Sequence, residues 1–384
     1  MRRIPALILS LVAFLAVPFA DAATPVPPPP QADAKAWILV DHVSGRVLGE
    51  KNADLRLEPA SLTKLMTAYA VFHALAEGKL RLTSEVSISE YAWRVGGAGS
   101  GGSTTFAKVG SRLPVEALIQ GMIVQSGNDA SIALAEAVAG SEATFAELMN
   151  GYARQLGMKG SNFQNSTGLP GPQHYVTARD MSLLASAIVR EFPQYYRWYS
   201  QREFTWNGIT QHNRNGLLDR DPAVDGMKTG HTESAGYCLV SSAQRDGMRM
   251  IAVVLGMASP KAREDASLAL LNYGFSFYET RRVYAAGREL ARPRVYGAPD
   301  GEAAVGLRRE LAVTVPRGRF KEVQTRIVMK PGLEAPVPAT QSVGSVQSLL
   351  DGKVIAERAL YPLAPVPKGN IFRRMWDTVA GWFG

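Results

Sequence analysis

Cysteine is almost missing from this chain: one residue in 384, Cys238. An internal disulfide framework is therefore excluded, and with 46% hydrophobic residues the chain must be held by its core. Cys238 sits inside the strand-like run GYCLVSSA, so it reads as a small buried apolar residue and not as a thiol nucleophile. Histidine is scarce too. The five, at 42, 73, 174, 212 and 231, contain no pair at metal-ligand spacing, and no metal is expected. Basic blocks are absent as well. The net charge is +8, but lysine and arginine are scattered without aromatic interleaving, which speaks against nucleic acid and for an anionic envelope or membrane surface.

What is present begins with a leader. MRRIPALILSLVAFLAVPFADAA has a basic start, an apolar run from Ile4 to Phe19 broken by Pro5 and Pro18, and the small-residue site Ala20-Asp21-Ala22. This is the pattern of a secretory signal peptide over 1–22, too short and proline-flanked for a spanning helix. A proline-rich linker, 23–33, follows.

AWILVD and RVLGEKN then flank His42-Val43-Ser44-Gly45, a hairpin signal. From Ala60 to about Arg190 the apolar spacing is mostly helical, as in LPVEALIQGMIVQSGNDASIALAEAVAG. Strand character returns near REFTWNGITQ and strengthens in GYCLVSSAQRDGMRMIAVVLGM, a second hairpin turning at Arg245-Asp246-Gly247, before a helix over roughly Lys261 to Thr280. Strands at both ends of a long helical insertion predict an α+β domain over 34–280, with one antiparallel sheet built from distant pieces. Short alternating strands between Gly and Pro turns predict a small all-β sandwich domain over 281–365. Residues 366–384 end in GNIFRRMWDTVAGWFG, which places Ile371, Phe372, Met375, Trp376, Val379, Trp382 and Phe383 on one helical face with Arg373, Arg374 and Asp377 opposite. Too short to span a bilayer, such a helix is expected to lie in the membrane interface.

Chemistry enters at EPASLTKLMTAYAVF. Ser61 and Lys64 are one helical turn apart, so their side chains can meet. A serine hydroxyl needs a base, and an amine serves when burial and nearby positive charge lower its pKa. Ser-x-x-Lys alone is weak. It is followed in order by Ser126-Gly127-Asn128 in QSGNDAS and by Lys228-Thr229-Gly230 in DGMKTGHT, just before the strand-like GYCLV. This ordered trio resembles the serine acyl-transferase set of penicillin-binding proteins and serine β-lactamases.

PASLTKLMT, SGNDA, TARDM, FTWNGITQHNRNGLL, VDGMKTGHTESAGYCLV, PRGR and the terminal amphipathic segment together resemble the low-molecular-mass penicillin-binding proteins that are D-alanyl-D-alanine carboxypeptidases, peptidase S11 type, from about Ala34 to Gly384. The resemblance implies a penicilloyl-serine-transferase (β-lactamase-like) domain, then the β sandwich and the membrane-surface helix. It implies that Ser61 attacks a carbonyl while Lys64 accepts its proton, that Ser126 relays a proton to the leaving amine, and that Asn128 holds Lys64 and the substrate amide. Lys228 would keep the site positive, Thr229 and Arg263 would bind the terminal carboxylate, Gly230 would let substrate lie close to the strand edge, and backbone N–H groups of Ser61 and His231 would form an oxyanion hole. With side chains as acid and base, no cofactor is expected. The implied partners are peptidoglycan pentapeptide stems, β-lactam antibiotics as inhibitors, and the outer face of the inner membrane, in the periplasm. One departure stands out: the loop WRVGGAGSGGSTTFAKVG is rich in Gly and Ser, and flexibility there bears on the speed of hydrolysis.

Rival expectations share the site. A class A β-lactamase needs a Glu-x-x-x-Asn deacylation loop; Glu203 and Asn207 match that spacing, but inside strand-like EFTWN, and the match reads as accidental. A D-alanyl endopeptidase would use the same residues, and a non-catalytic murein-binding scaffold would not need an intact nucleophile and base.

Overall fold

The computed structural model describes residues 25–369. The expected signal peptide lies outside them, as does the expected terminal helix from residue 370 onward; its first residues, 366–369, are described and are not helical, because Val366 pairs with Val337 in an antiparallel bridge.

The first hairpin forms as anticipated, β1 (Ala36–Asp41) against β2 (Val47–Lys51). The helical insertion then runs through α1 (Thr63–Ala76), β3 (Glu85–Ser87), α2 (Glu90–Gly96), β4 (Arg112–Pro114), α3 (Val115–Gln120), α4 (Asn128–Ala139), α5 (Glu142–Gln155), α6 (Ala178–Glu191) and α7 (Pro193–Tyr196). The small pair β3–β4 has no signal in the sequence, because three-residue strands carry too little alternation to be read. The hairpin β5 (Glu203–Trp206) and β6 (Ile209–His212), with the short α8 (Leu217–Arg220), leads back to β7 (Val224–Thr232), β8 (Gly236–Arg245), β9 (Met248–Met257) and α9 (Pro260–Phe277).

The main sheet has the order β2-β1-β9-β8-β7, antiparallel throughout, with β7 at one edge. Its centre is covered on both faces, which explains why β1 and β9 read as unbroken apolar runs. Ala36, Ile38, Val40, Ile251, Val253 and Leu255 face the helical insertion. Trp37, Leu39, Met250, Ala252 and Val254 face α9. Helix α1 threads the insertion against α4, α5 and α6 and is buried almost all round. The proline-rich stretch packs along the α9 side, where Tyr273 donates to the Pro27 carbonyl at 2.8 Å and Pro29 covers Gly49 of β2.

Helix α9 stops at Phe277, and the residues expected as its last turn open β10 (Tyr278–Tyr284) instead. The aromatic and β-branched content of YETRRVY favours a strand. β10 pairs with β13 (Leu311–Pro316). Beside them, β11 (Glu289–Ala291), β12 (Val305–Gly306), β14 (Gln324–Met329), β15 (Gly344–Leu350) and β16 (Lys353–Pro362) form a second sheet ordered β11-β12-β16-β15-β14. Val305, Leu311, Val346 and Leu360 build a core between them that is separate from the large ones. At the junction of the two regions, Thr280 donates to buried Asp41 at 2.8 Å, Thr314 bonds Thr280 at 2.7 Å and Ser44 at 2.6 Å, and Arg46 donates to the Thr314 carbonyl at 2.5 Å.

Candidate active site

A one-turn 3-10 helix, Ala60–Leu62, precedes α1 and carries Ser61 to the surface of the core while Lys64 points inward from the first turn of α1. Lys64 is 1% exposed. Its Nζ lies 3.0 Å from Ser61 Oγ, 2.7 Å from Asn128 Oδ1 and 2.7 Å from the Thr167 carbonyl. The last two atoms can only accept. A neutral amine has two N–H groups and one lone pair, so donation to Asn128 and Thr167 leaves the lone pair facing the Ser61 hydroxyl. That is the geometry of a base poised on a nucleophile.

The second segment is delivered by a π-helical turn, Gly121–Gln125, which ends with Ser126 in the left-handed region at φ 69°. Ala60, just before the nucleophile, is also left-handed at φ 46°. Both are unusual for residues with a Cβ, and such conformations cost of order 1–3 kcal/mol each. The Ser126 hydroxyl is buried and has no hydrogen-bond partner within the protein, so it is free to serve a ligand. The third segment comes from the edge strand β7. Ser61, Ser126, Asn128, Thr229, His231 and Arg263 line one open cleft of about 590 Å³, with Lys228 buried beneath, 2% exposed and donating to the Thr229 carbonyl at 3.1 Å.

Gly230 also meets a demand inside the fold, beside the expected approach of substrate. A Cβ there would stand 2.9 Å from the Pro59 carbonyl and 3.2 Å from Leu62 N, so the missing side chain lets β7 abut the nucleophile turn. Gly168 is more demanding still: at φ +88°, a Cβ would fall 1.8 Å from the Ala60 carbonyl.

Positive charge gathers in the cleft. Burial, helped by the Arg214 charge and opposed by Asp129 and Glu142, brings Lys64 down to about 7. Lys228 is held well below the usual lysine range by burial, then by Lys64, Arg214 and Arg263. Arg263 is 7% exposed, donates weakly to the Gly230 carbonyl at 3.4 Å, and lies 5.6 Å from the Tyr237 ring, leaving its Nε unpartnered. His231 is exposed and stacks on Tyr237 at 4.0 Å.

Thr167, Arg214, Asp129 and Glu142 were not anticipated. A backbone carbonyl has no residue signature, and a single Arg or Asp beside a motif looks like any other. Asp129 anchors the Gly- and Ser-rich loop: its carboxylate accepts from Thr104 Oγ1 at 2.9 Å, Thr105 N at 2.8 Å and Ala107 N at 3.3 Å. The loop is thus fastened at 104–107, while Gly101, Gly102 and Ser103 line the cleft. Cys238 is buried, its thiol raised to about 11, chiefly by burial. Glu203 and Asn207 fall in and just after β5, and neither lines the cleft. No group of His, Cys, Asp and Glu able to hold a metal occurs among the described residues.

Residues 22–259 match the family model described as D-alanyl-D-alanine carboxypeptidase, and residues 278–368 match the model of the penicillin-binding protein 5 C-terminal domain. D-alanyl-D-alanine carboxypeptidase DacA of Escherichia coli K12 is 42% identical over 100% of this chain and 98% of its own. The crystal structure of penicillin-binding protein 5 from Haemophilus influenzae superposes with a TM-score of 0.83 at 42% identity, covering 88% of this chain and 99% of that one. Penicillin-binding protein D2 of Listeria monocytogenes, solved in its ampicillin-bound form, matches with a TM-score of 0.57 at 30% identity over 65% of this chain and 100% of that one.

Proposed function

The chain belongs to the D-alanyl-D-alanine carboxypeptidase family of serine peptidases and has that activity, and from this premise we propose how its own residues perform it. Ser61 Oγ attacks the carbonyl of the penultimate D-alanine as its proton passes to the neutral Lys64 amine. The developing oxyanion is met by the N–H groups of Ser61 and His231. As the peptide bond breaks, Ser126 hands a proton to the leaving amine, drawing on protonated Lys64, and D-alanine departs. Water then enters, gives its proton to Lys64, and splits the ester to return the Ser61 hydroxyl and the shortened stem. Asn128 keeps Lys64 aimed; Thr229 and Arg263 receive the terminal carboxylate, which an arginine fork suits; buried Lys228, pressed toward its neutral form, donates to the Thr229 carbonyl beneath them.

The substrate in this reading is the peptidoglycan pentapeptide stem, trimmed so that it no longer donates in cross-linking. β-Lactams acylate the same serine because their strained amide and carboxylate mimic D-alanyl-D-alanine, in keeping with the ampicillin-bound Listeria relative. The leader and the aromatic, arginine-bearing end of the sequence support a periplasmic enzyme held peripherally at the outer face of the inner membrane. The described residues contain no helix long and apolar enough to cross a membrane.

One observation carries the mechanism: Lys64 Nζ is 3.0 Å from Ser61 Oγ with its other two partners restricted to accepting. Mass spectrometry after incubation with penicillin is the test. An adduct on the peptide containing Ser61, absent in Ser61→Ala together with D-alanine release, is expected; release that persists in Ser61→Ala refutes the mechanism. Products from a pentapeptide stem and from a cross-linked dimer then separate carboxypeptidase from endopeptidase action.

A further inference from the structure

The carbonyl that Lys64 uses belongs to a segment with little regular structure, 164–172, and a carbonyl is only as well placed as the chain that carries it. Something must hold that chain. Thr67, one turn along α1, donates to the Ser166 carbonyl at 2.7 Å, and the other side of Ser166 is held by Glu142. Glu142 opens α5 directly after the N-cap Ser141 and is 8% exposed. At a helix start an acidic residue ordinarily does no more than answer the macrodipole from solvent. Here it is turned inward. Oε1 accepts from Ser166 N at 2.9 Å and Ser166 Oγ at 2.6 Å, and Oε2 accepts from Tyr91 of α2 at 2.8 Å.

We propose that Glu142 is a positioning residue for the catalytic base. Its buried carboxylate clamps Ser166 between α1, α2 and α5, so that the adjoining Thr167 carbonyl takes one N–H of Lys64 and the amine lone pair stays on Ser61. Truncation would free the clamp on Ser166 N and Oγ and leave both buried without a partner, and small displacements of a reacting group are costly in rate. The negative charge acts in the same place. Lys64 faces Asp129 beside its partner Asn128 on α4, Lys228 on β7, Arg214 from the segment before α8, and Glu142 on α5, while Arg263 on α9 acts on Lys228; on α1 itself Thr63 is bonded to the buried His174 ring. Two acids thus oppose several cations, and removal of either acid favours the neutral amine. The inference rests on the proposed role of Lys64 as base.

The test uses the full-length protein, a fluorescent penicillin as probe, and acylation rates from pH 5 to 9 for wild type, Glu142→Ala and Glu142→Gln. Glutamine keeps an acceptor for Ser166 but not the charge. Expected are a plateau rate about tenfold to a hundredfold lower in Glu142→Ala, recovery in Glu142→Gln to within a few-fold of wild type, and an acid limb in Glu142→Gln displaced to lower pH by a few tenths of a unit to about one. Any other pattern overturns the proposal: two variants that match wild type, a glutamine as slow as the alanine, or an unmoved limb. Should Glu142→Ala not fold, the limb of Glu142→Gln decides alone. If wild type itself is not acylated at Ser61, the proposed mechanism has failed and not merely its positioning residue.

Discussion

Arg214→Gln should make the enzyme slower in mild acid by raising the pH at which its base works. Lys64 titrates near 7 where a free lysine titrates at 10.5, a difference of about 5 kcal/mol against the charged amine. Burial is the largest cause and the Arg214 charge the next. Only the neutral amine can accept the Ser61 proton, so with a value near 7 about half is active at neutrality and roughly one part in a hundred at pH 5. Without the shift, roughly one part in three thousand would be active at pH 7. Below the midpoint the acylation rate rises tenfold per pH unit and then levels. Removing the guanidinium lets Lys64 hold its proton to higher pH, so the limb moves up by a few tenths of a unit to about one. At pH 5.5 a half-unit move is about a threefold loss. The midpoint, read from labelling with a fluorescent penicillin, is independent of any change in plateau height from lost contacts to substrate. A wild-type profile flat from pH 5 to 9, or a limb that Arg214→Gln leaves in place or moves down, would show that Lys64 is not the base.

Three further outcomes follow from the geometry. Gly168→Ala should cut acylation by about a hundredfold or more, because the new Cβ collides with the Ala60 carbonyl beside the nucleophile; rates near wild type would mean that the nucleophile turn tolerates displacement. Asp129→Ala should unfasten residues 104–107, lower the melting temperature, and lengthen the life of the penicilloyl adduct as followed by mass spectrometry. His174, buried against Thr63 with its ring lowered to about 4 by burial, must stay neutral in the fold. The unfolded chain binds this proton below about 6.5 and the native one only near 4, so stability is lost as pH falls through that window, by up to about 3 kcal/mol; urea midpoints for His174→Gln should fall less steeply between pH 6.5 and 4 than those of wild type.

The legible part of the site was its side chains. Ser61, Lys64, Ser126, Asn128 and the Lys228–Gly230 run are fixed by short spacings within three local stretches of chain, and these converge on one cleft with Lys64 and Lys228 buried at its base. The hidden part was whatever depends on distant chain meeting distant chain: the Thr167 carbonyl, the Asp129 anchor, the inward turn of Glu142. The same division holds for the fold. Both hairpins of the main sheet were readable because alternation and turn residues are local, whereas the end of α9 was not, since the strand preference of Tyr278–Tyr284 is weak until it pairs with β13. Gly230 was singled out for substrate approach, and the fold adds a second demand on it that the sequence does not show, the nearby Pro59 carbonyl.

The hydroxyl cluster that links Ser44, Thr280 and Thr314 to Asp41 makes the β1–β2 turn a docking plate for the smaller region. Chimeras that exchange the C-terminal sheet region between relatives would therefore have to carry the matching His42–Gly45 turn with it, although more than 230 residues of sequence separate the two. Recombination has to respect this joint, which no single cut site along the chain can do.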